Sequence, residues 1–252
     1  MPHTIVPYGE HVEQHCALTP PSSSSAERLG TVALLHGGYW RAQFTRELME
    51  PMAVALSALG WHVVNIEYRR VDAGGGWPAP RDDATTAIAD IAQKIAAGRL
   101  PGPLILLGHS VGGQLAMLAA HTLGTASVAG VLALAPVTDV VTTYRDGLGD
   151  NAADALLAQW PGREEEAAAD ASPLYALPIG VPMVIVHGED DQRVPHSHTT
   201  AFASAAEAAG DAVRVVSPAT LEHRTVIDPD GEQWTTVLAA IRELGGSPPC
   251  SS

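Results

Sequence analysis

The chain has 252 residues, 46% of them hydrophobic, which suits one sizeable domain with a large core. Lysine plus arginine number 14 against 28 aspartate plus glutamate, and the net charge of −14 argues against nucleic acid or an anionic membrane as partner. No apolar run reaches spanning length, and Met1-Pro2-His3-Thr4-Ile5-Val6 lacks a basic start followed by an apolar stretch, so the expectation is no signal peptide and, by default, a cytoplasmic protein.

Residues 1–20 have room for one or two edge strands, and Pro20-Pro21-Ser22-Ser23-Ser24-Ser25 reads as a surface loop. Thr31–Leu35 is the first apolar strand. Phe44–Leu59 is a helical stretch that Pro51 must either kink or start. A strand at Val63–Glu67 precedes a helix over Asp83–Ala97, with Ala84, Ala87, Ile88, Ile91 and Ile95 on one face. Strand Leu104–Leu107 leads to a helix over Val111–Leu123, and strand Val131–Leu134 follows. The next strand waits until Met183–Val186. The insert between them carries Tyr144, a helical Asp150–Trp160 and an acidic helix at Glu164–Asp170; its length predicts a small cap at 137–180 over a site. The remaining elements are helix Phe202–Ala209, closed by Gly210, strand Val213–Val216, and helix Trp234–Leu244 with Asp230 and Gln233 as a candidate capping pair. Cys16 and Cys250 read as free thiols, the latter in a tail, 246–252, expected to be disordered. Strands alternating with helices predict an α/β fold, a mostly parallel sheet covered on both faces.

The chemistry-bearing motif is Gly108-His109-Ser110-Val111-Gly112, set between a strand and a helix. That context suits a nucleophile elbow, where a sharp turn exposes the serine at a helix N-terminus and glycines permit close approach. A serine hydroxyl needs a base, and the base needs an acid to orient it. The order expected of such a sheet, serine then acid then histidine, is present. The acid lies in His187-Gly188-Glu189-Asp190-Asp191-Gln192-Arg193-Val194-Pro195, where the spacing favours Asp191 over Asp190. The base is His223, after the last strand. His196 and His198 have a ligand-like spacing but no further ligands beside them, so neither metal nor organic cofactor is expected.

His36-Gly37-Gly38-Tyr39-Trp40 follows the first apolar strand. Tandem glycines there let amides turn toward an oxyanion, and the candidate donors are Gly38 N–H or Tyr39 N–H together with Val111 N–H. His36 reads as a brace for this loop. Trp40, His109 and Tyr144 are candidate substrate contacts, although Trp40 suits packing equally well and a histidine at the place of His109 more often packs or hydrogen-bonds the turn. Arg69 or Arg70 would suit a substrate carboxylate, but pairing of Arg69 with Asp82 or Asp83 is favoured. Asp139 is expected to anchor the insert, and Trp77 is either a rim residue or a packing one.

From about Gly30 to Leu244 the chain resembles the α/β-hydrolases. His-Gly-Gly-Tyr-Trp, Gly-His-Ser-x-Gly-Gly, Glu67-Tyr68-Arg69-Arg70 and Ala171-Ser172-Pro173-Leu174 are similar to the branch holding arylformamidases (kynurenine formamidases) and related carboxylesterases. Val111 and Gln114 stand where many relatives carry Ala and His, which leaves the triad intact but weakens transfer of a substrate. The leading expectation is a serine hydrolase of small carboxylic esters. N-formyl aryl amides come next by resemblance, and acyl transfer, cyclisation or a non-enzymatic ligand-binding role are the alternatives. The partner is a small ester or amide. A homodimer is compatible with the chain, but no segment identifies an interface.

Overall fold

The computed structural model describes residues 3–22 and 29–246. Ser23–Ser25 of the expected loop, Cys250 and the tail beyond 246 lie outside the described residues. The strands are β1 (Thr4–Pro7), β2 (His15–Thr19), β3 (Thr31–Leu35), β4 (His62–Ile66), β5 (Leu104–His109), β6 (Gly130–Leu134), β7 (Met183–Val186) and β8 (Val213–Val216). They form one sheet in the order β1-β2-β4-β3-β5-β6-β7-β8. The first two strands pair antiparallel at one end, and every pairing from β4 to β8 is parallel.

The helices are α1 (Glu50–Ala58), α2 (Ala79–Ala96), α3 (Val111–Leu123), α4 (Val140–Arg145), α5 (Leu148–Leu157), α6 (Glu164–Asp170), α7 (His196–Ala208) and α8 (Trp234–Leu244). They cover both faces of the sheet. Val32 and Leu34 of β3 pack with Met52 and Leu56 of α1 and Val237 and Ile241 of α8. Ala33 and Leu35 point the other way, to Ile88 of α2, Leu115 of α3 and Phe202 of α7. This two-sided burial is why the central strands are continuous apolar runs rather than alternating ones. None of the helices among the described residues is long and apolar enough to cross a membrane.

Several boundaries differ from the sequence expectation for local reasons. Pro51 lies in the first turn of α1, so it starts that helix. Helix α2 begins at Ala79, ahead of its apolar stripe, with Pro80 in its first turn. Helix α7 begins at His196 directly after Pro195. The Asp230–Gln233 capping pair does not form; the Gln233 amide turns away to donate to the Thr225 carbonyl. Glu67 falls just past β4, its carboxylate taken up by His36 and Arg70.

Topology places the site. From β3 the chain steps one way to β4, then crosses back to β5 on the other side of β3. The carboxyl ends of β3 and β5 therefore flank a switch point, where a parallel sheet opens a crevice. The glycine loop after β3 and the turn after β5 meet there.

The 137–180 insert folds as three short helices. Asp139 caps α4 through Thr142, so it is the anchor. Trp77 is buried rather than at a rim: its indole donates to Asp170, and its carbonyl accepts from the Trp160 indole. Across the sheet, Arg69 grips Asp83 with Nε and Nη2 at 2.8 and 2.6 Å, and Gln14 donates to the same carboxylate at 2.7 Å. Arg70 pairs with Glu67 and Glu13. Neither arginine is left for a substrate.

Removing one partner of a buried pair strands the other charge. Arg69→Met should lower the unfolding free energy in urea by about 3 kcal/mol, because it leaves the Asp83 carboxylate buried without its cation. Arg81→Met breaks exposed pairs with Asp82 and Asp170 and the contact over the Trp77 ring, and should cost about 1 kcal/mol. Equal losses would contradict this assignment.

Candidate active site

Strand β5 ends at His109, helix α3 starts at Val111, and Ser110 between them has φ 55° and ψ −120°. A non-glycine residue is rarely held at such a φ. Its N–H donates to the Leu134 carbonyl at 2.8 Å, and its own carbonyl accepts from Val137 at 3.2 Å. The flanking glycines are required by contact: a Cβ at Gly108 would strike the Gly112 carbonyl, and one at Gly112 would strike the Leu35 carbonyl. The turn is thus pressed between β3 and α3.

Asp191 follows β7 and is buried, whereas Asp190 is exposed. Asp191 Oδ1 accepts from the amides of Arg193 at 2.7 Å and Val194 at 3.0 Å. Its Oδ2 lies 2.7 Å from His223 Nδ1 and 3.2 Å from His187 Nε2. Burial works against the charge, yet the hydrogen bonds from His187, His223 and Arg193 and the charge of His223 hold this carboxyl well below the usual range. His187 is itself fixed by Thr199 at 2.7 Å and by the Val194 carbonyl at 3.1 Å. Sequence reasoning left His187 without a role at the acid; its place four residues before Asp191 was the available signal.

His223 and Ser110 line one cleft of about 100 Å³, together with Gly38, Tyr39 and His109. His109 does more than line it. Its Nε2–H donates to the His223 carbonyl at 2.8 Å, and burial pushes its pKa down to about 3, so the neutral ring clamps the loop that carries His223.

The loop after β3 curls through three left-handed residues, Gly38 (φ 127°), Tyr39 (φ 50°) and Trp40 (φ 57°). Among the described residues, the amides of Gly38, Tyr39 and Val111 donate to no backbone carbonyl outside regular elements. Beneath the loop, His36 bonds the Gly37 carbonyl at 2.7 Å and Glu67 at 2.8 Å, and stacks on Tyr68. Burial opposes the charge on Glu67, but His36, the Arg46 amide and Arg70 bring its pKa down to about 2. Burial pushes Tyr39 up to about 12, and its hydroxyl donates to the Arg193 carbonyl at 2.6 Å.

Two expected substrate contacts are elsewhere. Trp40 is buried, with its indole 3.0 Å from Gln114 Oε1, and Gln114 in turn donates to the Ala171 carbonyl at 2.7 Å. Gln114 thereby ties the loop to the insert, and Trp40 is a packing residue. Tyr144 lies half-buried on α4, packed against the core, and does not line the cleft. No residue of 137–180 lines the cleft. The insert instead supports the glycine loop from outside, where the Arg41 guanidinium donates to the Gly149 carbonyl at 2.6 Å. Phe44, Leu48, Arg193 and Arg224 complete the lining and were not expected from sequence. The two arginines sit two residues after Asp191 and one after His223, a proximity that was legible in the chain.

Comparison with known proteins agrees with this architecture. The BD-FAE family model matches residues 18–206. The chain is 27% identical over 207 residues to Esterase LipQ of Mycobacterium tuberculosis, a match covering 76% of this chain and 49% of LipQ, so it spans about half the length of that curated relative. A truncated carbohydrate esterase from gut microbiota superposes with a TM-score of 0.80 at 18% identity, covering 97% of this chain and 96% of that one. Esterase Est2 of Thermogutta terrifontis superposes with a TM-score of 0.76 at 22% identity, covering 99% and 95%. These likenesses speak to the fold. The chain belongs to the BD-FAE family and has the α/β-hydrolase fold.

Proposed function

We propose that this protein is a serine esterase that cleaves small carboxylic esters through an acyl-enzyme on Ser110. The carrying observation is that Ser110, held at a positive φ at the N-terminus of α3, shares a cleft with His223, whose Nδ1 is 2.7 Å from the ionised Asp191. In this reading His223 Nε2 takes the Ser110 hydroxyl proton as Oγ adds to the ester carbonyl. Asp191 keeps the other ring proton on Nδ1 and stabilises the imidazolium. The Val111 amide, with that of Gly38 or Tyr39, receives the oxyanion, and the α3 dipole favours its charge. The alcohol leaves with the proton from His223, and water, activated by the same base, releases the acid.

The small cleft supports a short acyl group, since pockets for drug-sized ligands run about 300–1,000 Å³. The esterase names of LipQ and the structural neighbours support an ester over the N-formyl amide suggested by the sequence resemblance. Nothing in the cleft favours the amide.

The test is kcat/KM for p-nitrophenyl acetate against N-formyl-kynurenine on one preparation. Ester turnover with little formamide cleavage is expected, and the reverse preference would replace the esterase reading. Ser110→Ala should lower ester kcat/KM by about four orders of magnitude or more, with an unchanged thermal midpoint. Asp191→Asn should cost about three to four orders of magnitude, and Asp190→Asn less than about twofold. An Asp190 variant as damaged as the Asp191 one would move the acid to the exposed residue.

A further inference from the structure

In a chain of net charge −14, arginines have carboxylates to pair with nearly everywhere. Arg69 holds Asp83, Arg70 holds Glu67 and Glu13, and Arg41 lies against Asp150. Among the described residues Arg99, Arg193, Arg224 and Arg242 have no such partner, and of these Arg193 and Arg224 stand out because they line the cleft. Both are exposed, and both line the cleft that contains Ser110 and His223. Among the described residues neither side chain enters a hydrogen bond or an ion pair.

Their main chains are fixed even though their side chains are free. The Arg193 N–H donates to Asp191, and its carbonyl accepts from Tyr39. Arg224 directly follows His223, whose carbonyl is held by His109, and it opens the short turn Thr225–Ile227. Two guanidinium groups without an ion-pair partner thus spring from the loops that carry the acid and the base. At a narrow cleft such charges act strongly on an entering anion. Guanidinium is the side chain best shaped to grip a carboxylate through two parallel hydrogen bonds.

The space beside Ser110 is small, about 100 Å³. It suits the acyl part, so the larger alcohol part must extend beyond it, past the exposed Arg193 and Arg224 of its lining. We infer that the site takes short-chain acyl esters whose alcohol part carries a carboxylate, with that carboxylate held by Arg193 and Arg224. This assignment rests on the esterase reading for the reacting end of the substrate and on the two arginines for the remote end. Arg69 and Arg70, the arginines that sequence alone offers for a carboxylate, are already consumed by the ion pairs above.

A matched pair of esters tests it: 4-acetoxybenzoate, anionic at neutral pH, and 4-acetoxybenzamide, its neutral counterpart. The ratio of their kcat/KM values, divided by the ratio of their hydroxide-catalysed rates, isolates the recognition of charge. The wild-type enzyme should prefer the anion by about tenfold or more, and 0.5 M sodium chloride should erode the preference because screening shortens to a few ångströms. The R193Q/R224Q double variant should bring the ratio to about one, and R224E should favour the neutral ester. A wild-type ratio near one, or a preference that survives the double variant, would overturn the proposal. Calorimetric binding to S110A protein separates this outcome from failure of the esterase reading. If neither ester is turned over, S110A should still bind 4-acetoxybenzoate more tightly than the amide and lose the difference in S110A/R193Q/R224Q. Equal binding of the two would reject the anion site whatever the reaction.

Discussion

Everything in the site depends on one backbone constraint, the left-handed turn at Ser110. Holding a non-glycine residue at φ 55° costs on the order of 1–3 kcal/mol, so the surroundings must over-determine it. They do so from three sides. The Leu134 carbonyl takes the Ser110 N–H, Val137 donates to its carbonyl, and the α3 backbone presses against the end of β3 where Gly112 has no Cβ. The same turn puts the hydroxyl at a helix N-terminus and opposite the loop after β3. Relaxing it would separate Ser110 from both the loop after β3 and His223.

The loops around that turn are tied to one another rather than only to the sheet. Tyr39, in the loop after β3, donates to Arg193 in the acid loop. His109, beside Ser110, donates to the His223 carbonyl. Trp40 reaches α3 through Gln114, and Gln114 reaches the insert through Ala171. Each bond joins segments far apart in sequence, so displacing one loop displaces the others. The buried His36–Glu67–Arg70 cluster anchors the group from below, where a carboxylate with a pKa near 2 keeps its charge across the neutral range. The insert completes this frame. Its length suggested a roof over the cleft, but its helices lean on the glycine loop and on Trp77 from outside.

Much of this was legible in the chain because the relevant signals are local. The apolar runs at Thr31–Leu35 and Met183–Val186 coincide with strands, since a parallel sheet buried on both faces demands continuous hydrophobic segments, and Val213–Val216, with exposed Arg214, is the edge strand. Gly108-x-Ser110-x-Gly112 announced a tight turn because only glycine fits those contacts. Asp191 was distinguishable from Asp190 by spacing, and burial separates them as that spacing implies. Side-chain direction was not legible. Trp40 and Tyr144 had the right chemistry near the right loops, but packing turned one into α3 and laid the other against the core away from the cleft. The starts of α2 and α7 were hidden because their first turns carry no apolar stripe. Arg193 and Arg224 are adjacent in sequence to Asp191 and His223, yet that they line the cleft without an ion-pair partner is something only a folded chain shows.

The central claim is that Ser110 is a nucleophile activated by this arrangement, and covalent trapping addresses it without assuming a substrate. Wild-type protein treated with diethyl p-nitrophenyl phosphate should gain one diethylphosphoryl group per chain in the intact mass spectrum. Peptide mapping should place the group on Ser110, and His223→Ala should slow its formation by about a hundredfold or more, as loss of the general base requires. Protein that remains unlabelled, or labels on another residue at a rate indifferent to His223, would contradict the account.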